Sequence, residues 1–245
     1  MFFKVFKNLT FVNSYIFIFV ILMGTTSLYA QTLLFDGTPV SDLGNLNNIG
    51  KANTSRNIAI DNVGNIFVVF TGSEGIRVAK STDRGASFLP SVIVSGATLN
   101  IEPEIIINSQ GTIFIAWVEN NDIRLSKSVD QGLSYSAALV VGPITLSQVV
   151  PENIETVHMA TFGNNIYISE RSGATIYSNA NNGDGPFTNV SLPNFAFSDI
   201  FTDQNGLVYA PRDNPVLELY NSTNSAQVFN EILLSTFPQV FFSSY

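Results

Sequence analysis

The chain has 245 residues, of which 45% are hydrophobic and 12% are charged, so it can bury a large core and is not intrinsically disordered. Its formal net charge is −8, and it lacks the concentrated Lys/Arg surface that phosphate binding needs, which disfavours nucleic acid as a partner. It contains no Cys, which excludes disulfides and thiolate metal sites.

The first thirty residues have the pattern of a secretory signal peptide. Lys4 and Lys7 precede a short apolar run at 15–23, and small residues follow that run. The run is shorter than the roughly 20 apolar residues of a membrane span, although an uncleaved anchor is the alternative. We predict a signal peptide at 1–30 and a mature chain that begins near Gln31 and keeps no stable membrane span. The predicted location is secreted or cell-envelope. The lack of Cys is more typical of a bacterial protein than of a disulfide-rich animal ectodomain.

A repeat of 47 residues organises the rest of the chain. Residues 75–88 (GIRVAKSTDRGASF) and 122–135 (DIRLSKSVDQGLSY) share Ile, Arg, Lys, Ser, Asp, Gly and Ser at the same offsets, 47 residues apart. Two weaker copies follow, each with a turn and an aromatic-centred β pattern, near 165–168 and 206–209. Self-similarity at this period is typical of repeat architectures.

Each repeat contains several short β patterns and almost no helical periodicity. In the first repeat we predict strands at 57–60, 66–70, 76–80 and 88–94, separated by turns rich in Gly, Asn and Asp. The second of these strands is apolar on both faces, so it needs cover from both sides, as stacked blades provide. The sequence therefore predicts an all-β fold, a β-propeller of four-stranded antiparallel blades.

The predicted propeller domain covers residues 50–245. Its four visible blades lie near 54–95, 101–141, 155–192 and 197–235. Residues 31–49 form an N-terminal segment that is a candidate outer strand, and residues 236–245 (TFPQVFFSSY) are predicted to start a further blade. Because an open apolar blade edge promotes aggregation, we expect a propeller that is incomplete in this chain or closed by unusual pairing.

Two turns resemble a known motif. Residues 81–88 (STDRGASF) and 128–135 (SVDQGLSY) are similar to the Asp-box, Ser-x-Asp-x-Gly-x-Ser/Thr-aromatic, of BNR-repeat, sialidase-like propellers. The resemblance implies that each box is the turn between the third and fourth strands of a blade. Aspartate accepts turn amides, glycine permits φ > 0 and the ring packs over the hairpin, so we predict a structural role. The predicted structural residues are Ser81, Asp83, Gly85, Phe88, Ser128, Asp130, Gly132 and Tyr135.

The strand order places the loops between second and third strands at the end opposite the Asp-boxes. Ligands of propellers usually enter at that end, although a polar rim is also expected of any set of loops. The candidate ligand-face residues are Glu119, Asp122, Glu170, Arg171, Arg212 and Asp213.

The sialidase resemblance implies three arginines that bind a carboxylate, a tyrosine nucleophile assisted by Glu, and an Asp acid/base. Arg56, Arg171 and Arg212 are the arginines left for such a triad, but Arg56 does not precede Ile-Pro as the family's first arginine does. Tyr167 and Tyr209 align with core aromatic residues of the first two repeats. We therefore predict no catalytic residues.

Two single residues add little to this picture. His158 is the only histidine, which excludes multi-His metal sites. Trp117 aligns with Phe70, so we predict that it packs within a blade instead of stacking on a sugar. We expect no metal and no cofactor. The leading hypothesis is an exported, non-enzymatic propeller that binds a glycan or an extracellular protein. The alternatives are a sialidase-like glycoside hydrolase (exo-α-sialidase), or a fragment of one, and a structural surface protein.

Overall fold

Sixteen short strands make up the part of the chain that the structure describes. The computed structural model describes residues 40, 56–96, 103–144, 157–170, 175–191, 199–212, 218–223 and 225–232. The predicted signal peptide, the N-terminal segment other than Val40, and the further blade at 236–245 lie outside these residues. Within the described ranges, no helix is long and apolar enough to cross a membrane.

The strands form four sheets of four. The first contains β1 (Ile58–Ile60), β2 (Ile66–Gly72), β3 (Gly75–Ser81) and β4 (Val92–Ser95). The second contains β5 (Glu104–Ile107), β6 (Ile113–Glu119), β7 (Asp122–Ser128) and β8 (Leu139–Pro143). The third contains β9 (Val157–Phe162), β10 (Asn165–Glu170), β11 (Thr175–Asn179) and β12 (Thr188–Ser191). The fourth contains β13 (Phe201–Thr202), β14 (Val208–Arg212), β15 (Glu218–Ser222) and β16 (Asn230–Ile232).

Strands pair antiparallel and in chain order within every sheet. The first strands β1, β5, β9 and β13 are successive neighbours from sheet to sheet, so they are the inner strands of four blades. The repeat is reproduced in the register, because Ile66 pairs with Ser81 and Ile113 pairs with Ser128. The predicted all-β propeller of four-stranded antiparallel blades is confirmed, and among the described strands no sheet closes on itself.

The fourth strand of the first blade begins later than the sequence pattern suggested. It was expected at 88–94 and starts at Val92. Pro90 has no N–H to donate, so the ladder cannot run continuously through it. A shift in register between Ile76 and Arg77 accompanies this delayed pairing. The second blade has the same shift between Ile123 and Arg124, 47 residues later.

Apolar side chains fill the spaces between successive blades. In β6, Phe114, Ala116 and Val118 face the third blade, whereas Ile113, Ile115 and Trp117 face the first. All six are buried. A strand with two buried faces is possible only where sheets stack on both sides, as the apolar pattern predicted. A third cluster joins the last two blades, and it contains Ala160, Tyr167, Ile176, Ile200, Val208, Ala210 and Ala226.

We call the turns that join the third and fourth strands of each blade the outer turns. In the first, Asp83 Oδ1 accepts hydrogen bonds from the Ser81 hydroxyl and the Ser87 amide, and the Gly85 amide donates to Ser81 Oγ. The second outer turn repeats all three bonds 47 residues later. These bonds satisfy turn amides locally, which is the physical basis of the structural role predicted for the serines and aspartates.

All four outer turns share one backbone conformation, with two consecutive residues at positive φ. The pairs are Arg84 and Gly85, Gln131 and Gly132, Asn182 and Gly183, and Ser225 and Ala226. In the third turn the amide oxygen of Asn179 accepts the amides of Asn181 and Gly183, so asparagine replaces serine there.

The second and third outer turns also rest on the blade before them. Lys80 Nζ donates to the carbonyl of Gln131, and Lys127, 47 residues later, donates to the carbonyl of Asn182. Gly132 lies against the ring of Phe67 so closely that a Cβ would be 3.0 Å from it. The outer turns therefore connect neighbouring blades as well as neighbouring strands.

Acid should weaken these turns in a definite pH range. Hydrogen bonds from Ser87 and Ser134 lower the pKa of Asp83 and of Asp130 from 3.8 to about 2. A lowered folded-state pKa stabilises the protein above the unfolded value of 3.8, and this contribution is lost as the pH falls toward 2. As the pH falls from 3.8 toward 2, we expect the melting temperature of the Asp83→Asn/Asp130→Asn variant to fall less than that of the parent protein. Glu74→Gln is the control, and equal slopes for all three proteins would contradict the expectation.

Candidate functional site

Polar residues stand at equivalent positions where the inner strands begin. Glu104 is the first residue of β5 and His158 is the second of β9. Asn57 immediately precedes β1, and Asp199 lies two residues before β13. With this strand order, every inner strand starts at the end opposite the outer turns. The polar side chains therefore gather at one end of the blades.

Arg56 links the first blade to the other three. Its Nη2 lies 2.8 Å from Glu104 Oε1 of the second blade and 3.6 Å from Asp199 Oδ1 of the fourth. The same nitrogen donates a hydrogen bond to the carbonyl oxygen of Met159 in the third blade. One guanidinium thus joins all four described blades at the starts of their inner strands.

Among the described residues, one buried polar atom of Glu104 and one of His158 make no hydrogen bond. The side chain of Glu104 is 0% exposed, and its Oε1 accepts the Met159 amide while its Oε2 makes no hydrogen bond. His158 Nδ1 lies 3.4 Å from Glu104 Oε2 and 3.7 Å from Asp199 Oδ1, and its Nε2 also makes none. Buried polar atoms almost always have a partner, so an unpaired carboxylate oxygen and an unpaired ring nitrogen are unusual in a folded protein. We call Arg56, Glu104, His158 and Asp199 the strand-start cluster.

The strand-start cluster has a buried floor and an exposed lip. Glu104 and His158 form the floor, whereas the side chains of Arg56 and Asp199 are 44% and 48% exposed. A solute can therefore reach Arg56 and Asp199 from the end of the blades, whereas Glu104 and His158 lie beneath them. Within the described ranges, no group of His, Cys, Asp and Glu side chains is suited to hold a metal ion. The guanidinium of Arg56 contacts the carboxylates of Glu104 and Asp199, so it takes the position that a metal cation between them would need.

The candidate ligand-face residues with described side chains lie at the same end of the blades. Glu119 ends β6, and its carboxylate accepts a hydrogen bond from Trp117 Nε1 at 3.3 Å. Asp122 begins β7 and lies 3.6 Å from Arg124 Nη2, and Glu170 ends β10 in a buried position. Trp117 is 0% exposed and packs between blades, so no sugar can stack on it.

The carboxylates of Asp122 and Glu170 contribute to the raised pKa of Tyr177. Burial, followed by the negative charges of Glu170 and Asp122, raises the pKa of Tyr177 to about 12. The Tyr177 hydroxyl donates a hydrogen bond of 2.6 Å to the carbonyl of Pro143. Tyr177 and these two carboxylates therefore lie near one another between the second and third blades, at the end that carries the strand-start cluster.

The remaining candidates are described in part or not at all. Arg212 ends β14, where its backbone pairs with Glu218, and its side chain is outside the described atoms. Arg171 and Asp213 lie outside the described residues. Of the arginines considered for a carboxylate-binding triad, Arg56 has a described side chain, and its Nη2 already contacts two carboxylates.

Sequence reasoning missed Glu104, His158 and Asp199 as a group. Arg56 was considered for a carboxylate-binding triad, and His158 was treated as an isolated residue. One signal was present, because Glu104 falls 47 residues after Asn57, at the same place in the repeat. His158 and Asp199 hold the same place in the third and fourth copies. An alignment of all four copies would therefore have indicated a polar cluster around the inner strands.

A shallow depression of about 410 Å³ lies at the opposite end, between the first two blades. It is lined by Asp61, Asn62, Val63, Phe67, Gln110, Gly111, Ile113, Val129 and Gln131. The carboxylate of Asp61 accepts the amides of Val63 and Asn65, so it serves the turn between β1 and β2. We assign no ligand to this depression.

No protein-family model and no curated protein matches the chain at a significant level. A streptogramin B lyase structure is similar, with 15% identity, a TM-score of 0.51 and coverage of 78% of this chain and 58% of that chain. A catalytically inactive histidine-to-alanine variant of virginiamycin B lyase from Staphylococcus aureus with quinupristin has 14% identity, a TM-score of 0.51 and coverage of 76% and 58%. The intramolecular trans-sialidase from Ruminococcus gnavus in complex with oseltamivir carboxylate has 14% identity, a TM-score of 0.43 and coverage of 67% and 42%.

The chain thus spans less than two thirds of the length of each of these solved chains. At such low identity the two lyases support the β-propeller fold alone, and the trans-sialidase, with a TM-score of 0.43, carries no argument.

Proposed function

We propose that the chain is an exported, non-enzymatic β-propeller that binds a glycan through the strand-start cluster. The observation that carries this proposal is the pair of buried, unpaired atoms Glu104 Oε2 and His158 Nε2 beneath an exposed lip. Leaving a buried polar atom without a partner costs about 1–3 kcal/mol, so a ligand that displaces the lip and supplies the partner gains affinity there.

A hydroxyl-rich ligand suits this arrangement of donors and acceptors. The guanidinium of Arg56 donates, the carboxylates of Glu104 and Asp199 accept, and all of them lie within a few ångströms of one another. A sugar hydroxyl both donates and accepts, so adjacent hydroxyls can engage both kinds of group at once. A protein partner is the other ligand class for this end of the blades.

Export is the part of the proposal that rests on sequence alone. The signal-peptide pattern at 1–30 and the absence of Cys support a secreted or cell-envelope protein of a bacterium. The BNR-repeat resemblance of the first two outer turns also belongs to this proposal, because identical hydrogen bonds at Asp83 and Asp130 support it.

A glycoside hydrolase is the second candidate, because the cluster contains two carboxylates. Most such enzymes place a pair of Asp or Glu side chains on either side of the scissile bond. Here Arg56 Nη2 contacts both Glu104 and Asp199, so a guanidinium occupies the space where that bond would lie. We therefore rank binding above hydrolysis.

The test begins with a glycan array, followed by calorimetry on every glycan that binds. We expect Glu104→Gln to weaken binding about tenfold, since it alters the buried acceptor. Asp83→Asn, in an outer turn at the opposite end, should leave affinity unchanged. Melting temperatures would confirm that both variants are folded.

Three results would contradict the proposal. Loss of binding in Asp83→Asn but not in Glu104→Gln would move the site to the outer turns. Turnover of a fluorogenic sialoside that Glu104→Gln abolishes would establish the hydrolase. An array on which no glycan binds would remove the glycan as the ligand.

A further inference from the structure

The first blade has an exposed apolar face on the side away from the second blade. In β1, Ala59 packs toward the second blade, so Ile58 and Ile60 face away from it. Ile58 is 57% exposed and Ile60 is 63% exposed. Their cross-strand partners in β2, Val68 and Ile66, lie on the same face. These four branched side chains form one surface, which we call the open face.

The same face of the second blade is covered. Ile105, 47 residues after Ile58, is 1% exposed because it packs against the first blade. In the adjacent strand of the second blade, Ile113 and Ile115 are buried in the same cluster. The open face therefore has the residues of an interface between two blades, and a further strand would suit it.

The fourth blade also has an exposed apolar face. Val208 and Ala210 pack against the third blade, so Tyr209 between them faces the other way. Phe201 pairs with Tyr209, and their two rings stack with centroids 5.2 Å apart. Phe201 is 43% exposed. Among the described sheets, no blade packs against this face or against the open face of the first blade.

These two faces border the gap between the first and fourth blades. Arg56, two residues before β1, approaches Asp199, two residues before β13, to 3.6 Å. Two side chains thus span the gap at the inner strands. Stacked sheets lie about 10 Å apart, so a gap of this width admits one more inner strand. A second copy of the chain fits poorly, because it would bring its own neighbouring blades into the gap.

Residues 236–245 (TFPQVFFSSY) have the sequence pattern of an inner strand. They come a few residues after β16, the outer strand of the fourth blade, as β5, β9 and β13 each come after the outer strand of the blade before them. Gln239 precedes Val240, Phe241 and Phe242, as a polar residue precedes apolar ones at the start of the inner strands in the second and fourth blades.

We propose that residues 236–245 lie in this gap as a fifth inner strand and cover the open face of the first blade. Aligned on its polar residue, the segment directs Phe241 toward Ile58 and Val240 toward the stacked rings of the fourth blade, because alternate side chains of a strand face opposite ways. Burial of the two apolar faces favours this arrangement over an exposed edge. The proposal does not depend on glycan binding.

Thiol labelling of the full chain tests the proposal. The chain contains no Cys, so one introduced thiol reports alone. Ile58→Cys reports on the open face, and Leu133→Cys, at a 74% exposed position in the second outer turn, is the matched control. We expect Ile58→Cys to react about tenfold slower than Leu133→Cys, because its labelling requires local opening of the segment. Adding Phe241→Asp should restore most of the rate at position 58 and leave the rate at position 133 unchanged.

Cross-linking locates the segment directly and does not need Phe241→Asp to fold. Ile58→Cys/Phe241→Cys, treated with a short bismaleimide, should form a link within one chain at every protein concentration. Leu133→Cys/Phe241→Cys is the control and should form none, because position 133 lies in an outer turn of another blade. Mass spectrometry of the digested monomer would identify the linked peptides.

Three results would overturn the proposal. Equal labelling of Ile58→Cys and Leu133→Cys would show that the open face is uncovered. Slow labelling of Ile58→Cys that becomes faster on dilution, with cross-links between chains, would assign the face to a second copy. Slow labelling without a link to position 241 within one chain would assign it to a different segment.

Discussion

Replacement of Arg56 by alanine is expected to lower the free energy of unfolding by about 2–4 kcal/mol. The change leaves the carboxylate of Glu104 buried without its cation and the carbonyl of Met159 without its side-chain donor. The range lies below that of a fully buried ion pair because Arg56 is 44% exposed. Urea unfolding would measure the effect, with Arg84→Ala in an exposed outer turn as the arginine control.

A second substitution distinguishes a lost ion pair from a merely disturbed surface. Glu104→Gln removes the buried charge, so the Arg56→Ala/Glu104→Gln variant should be more stable than Arg56→Ala alone. A double variant with the summed losses of the two single variants would show that Arg56 and Glu104 do not stabilise each other. A loss of less than 0.5 kcal/mol in Arg56→Ala, about the size of an ordinary surface effect, would show that the arginine does not connect the blades.

The blades were predictable because they repeat along the chain. Phe114 and Ile115 lie on opposite faces of one strand, and only stacked sheets can bury both. The serine and aspartate of each outer turn bond within a few residues, so sequence spacing alone specifies them. Local hydrogen bonds and strand periodicity can be recognised in short segments of sequence.

The strand-start cluster was not predictable in the same way. Its members are unevenly spaced along the chain and come from four different blades, so only the stacking of those blades brings them together. Glu104 has the position of an ordinary strand residue in sequence, yet it is fully buried. Lys80 and Lys127 show the same limit, because their repeat position was visible but their partners in the next blade were not.

Gly75→Ala is expected to destabilise the protein by about 3–5 kcal/mol, and this loss arises at the end of the first blade that also carries Arg56. Gly75 is the first residue of β3, directly after the tight turn from β2, and it has a φ of 118°. A Cβ there would lie 2.0 Å from the carbonyl oxygen of Ser95, which belongs to the backbone and cannot move aside as a side chain can. Backbone strain and steric overlap therefore add at this residue.

Gly64→Ala separates these two contributions. Gly64 has a φ of 91°, and a Cβ there would meet nothing within 4 Å. The variant should lose about 1–2 kcal/mol, the cost of a left-handed conformation alone. Thermal unfolding of both variants, or the yield of folded protein if Gly75→Ala does not accumulate, measures the difference. Equal losses would mean that the backbone at Ser95 moves away from the new Cβ without a cost in free energy. The close approach of β4 to this hairpin would then not contribute to the stability of the first blade.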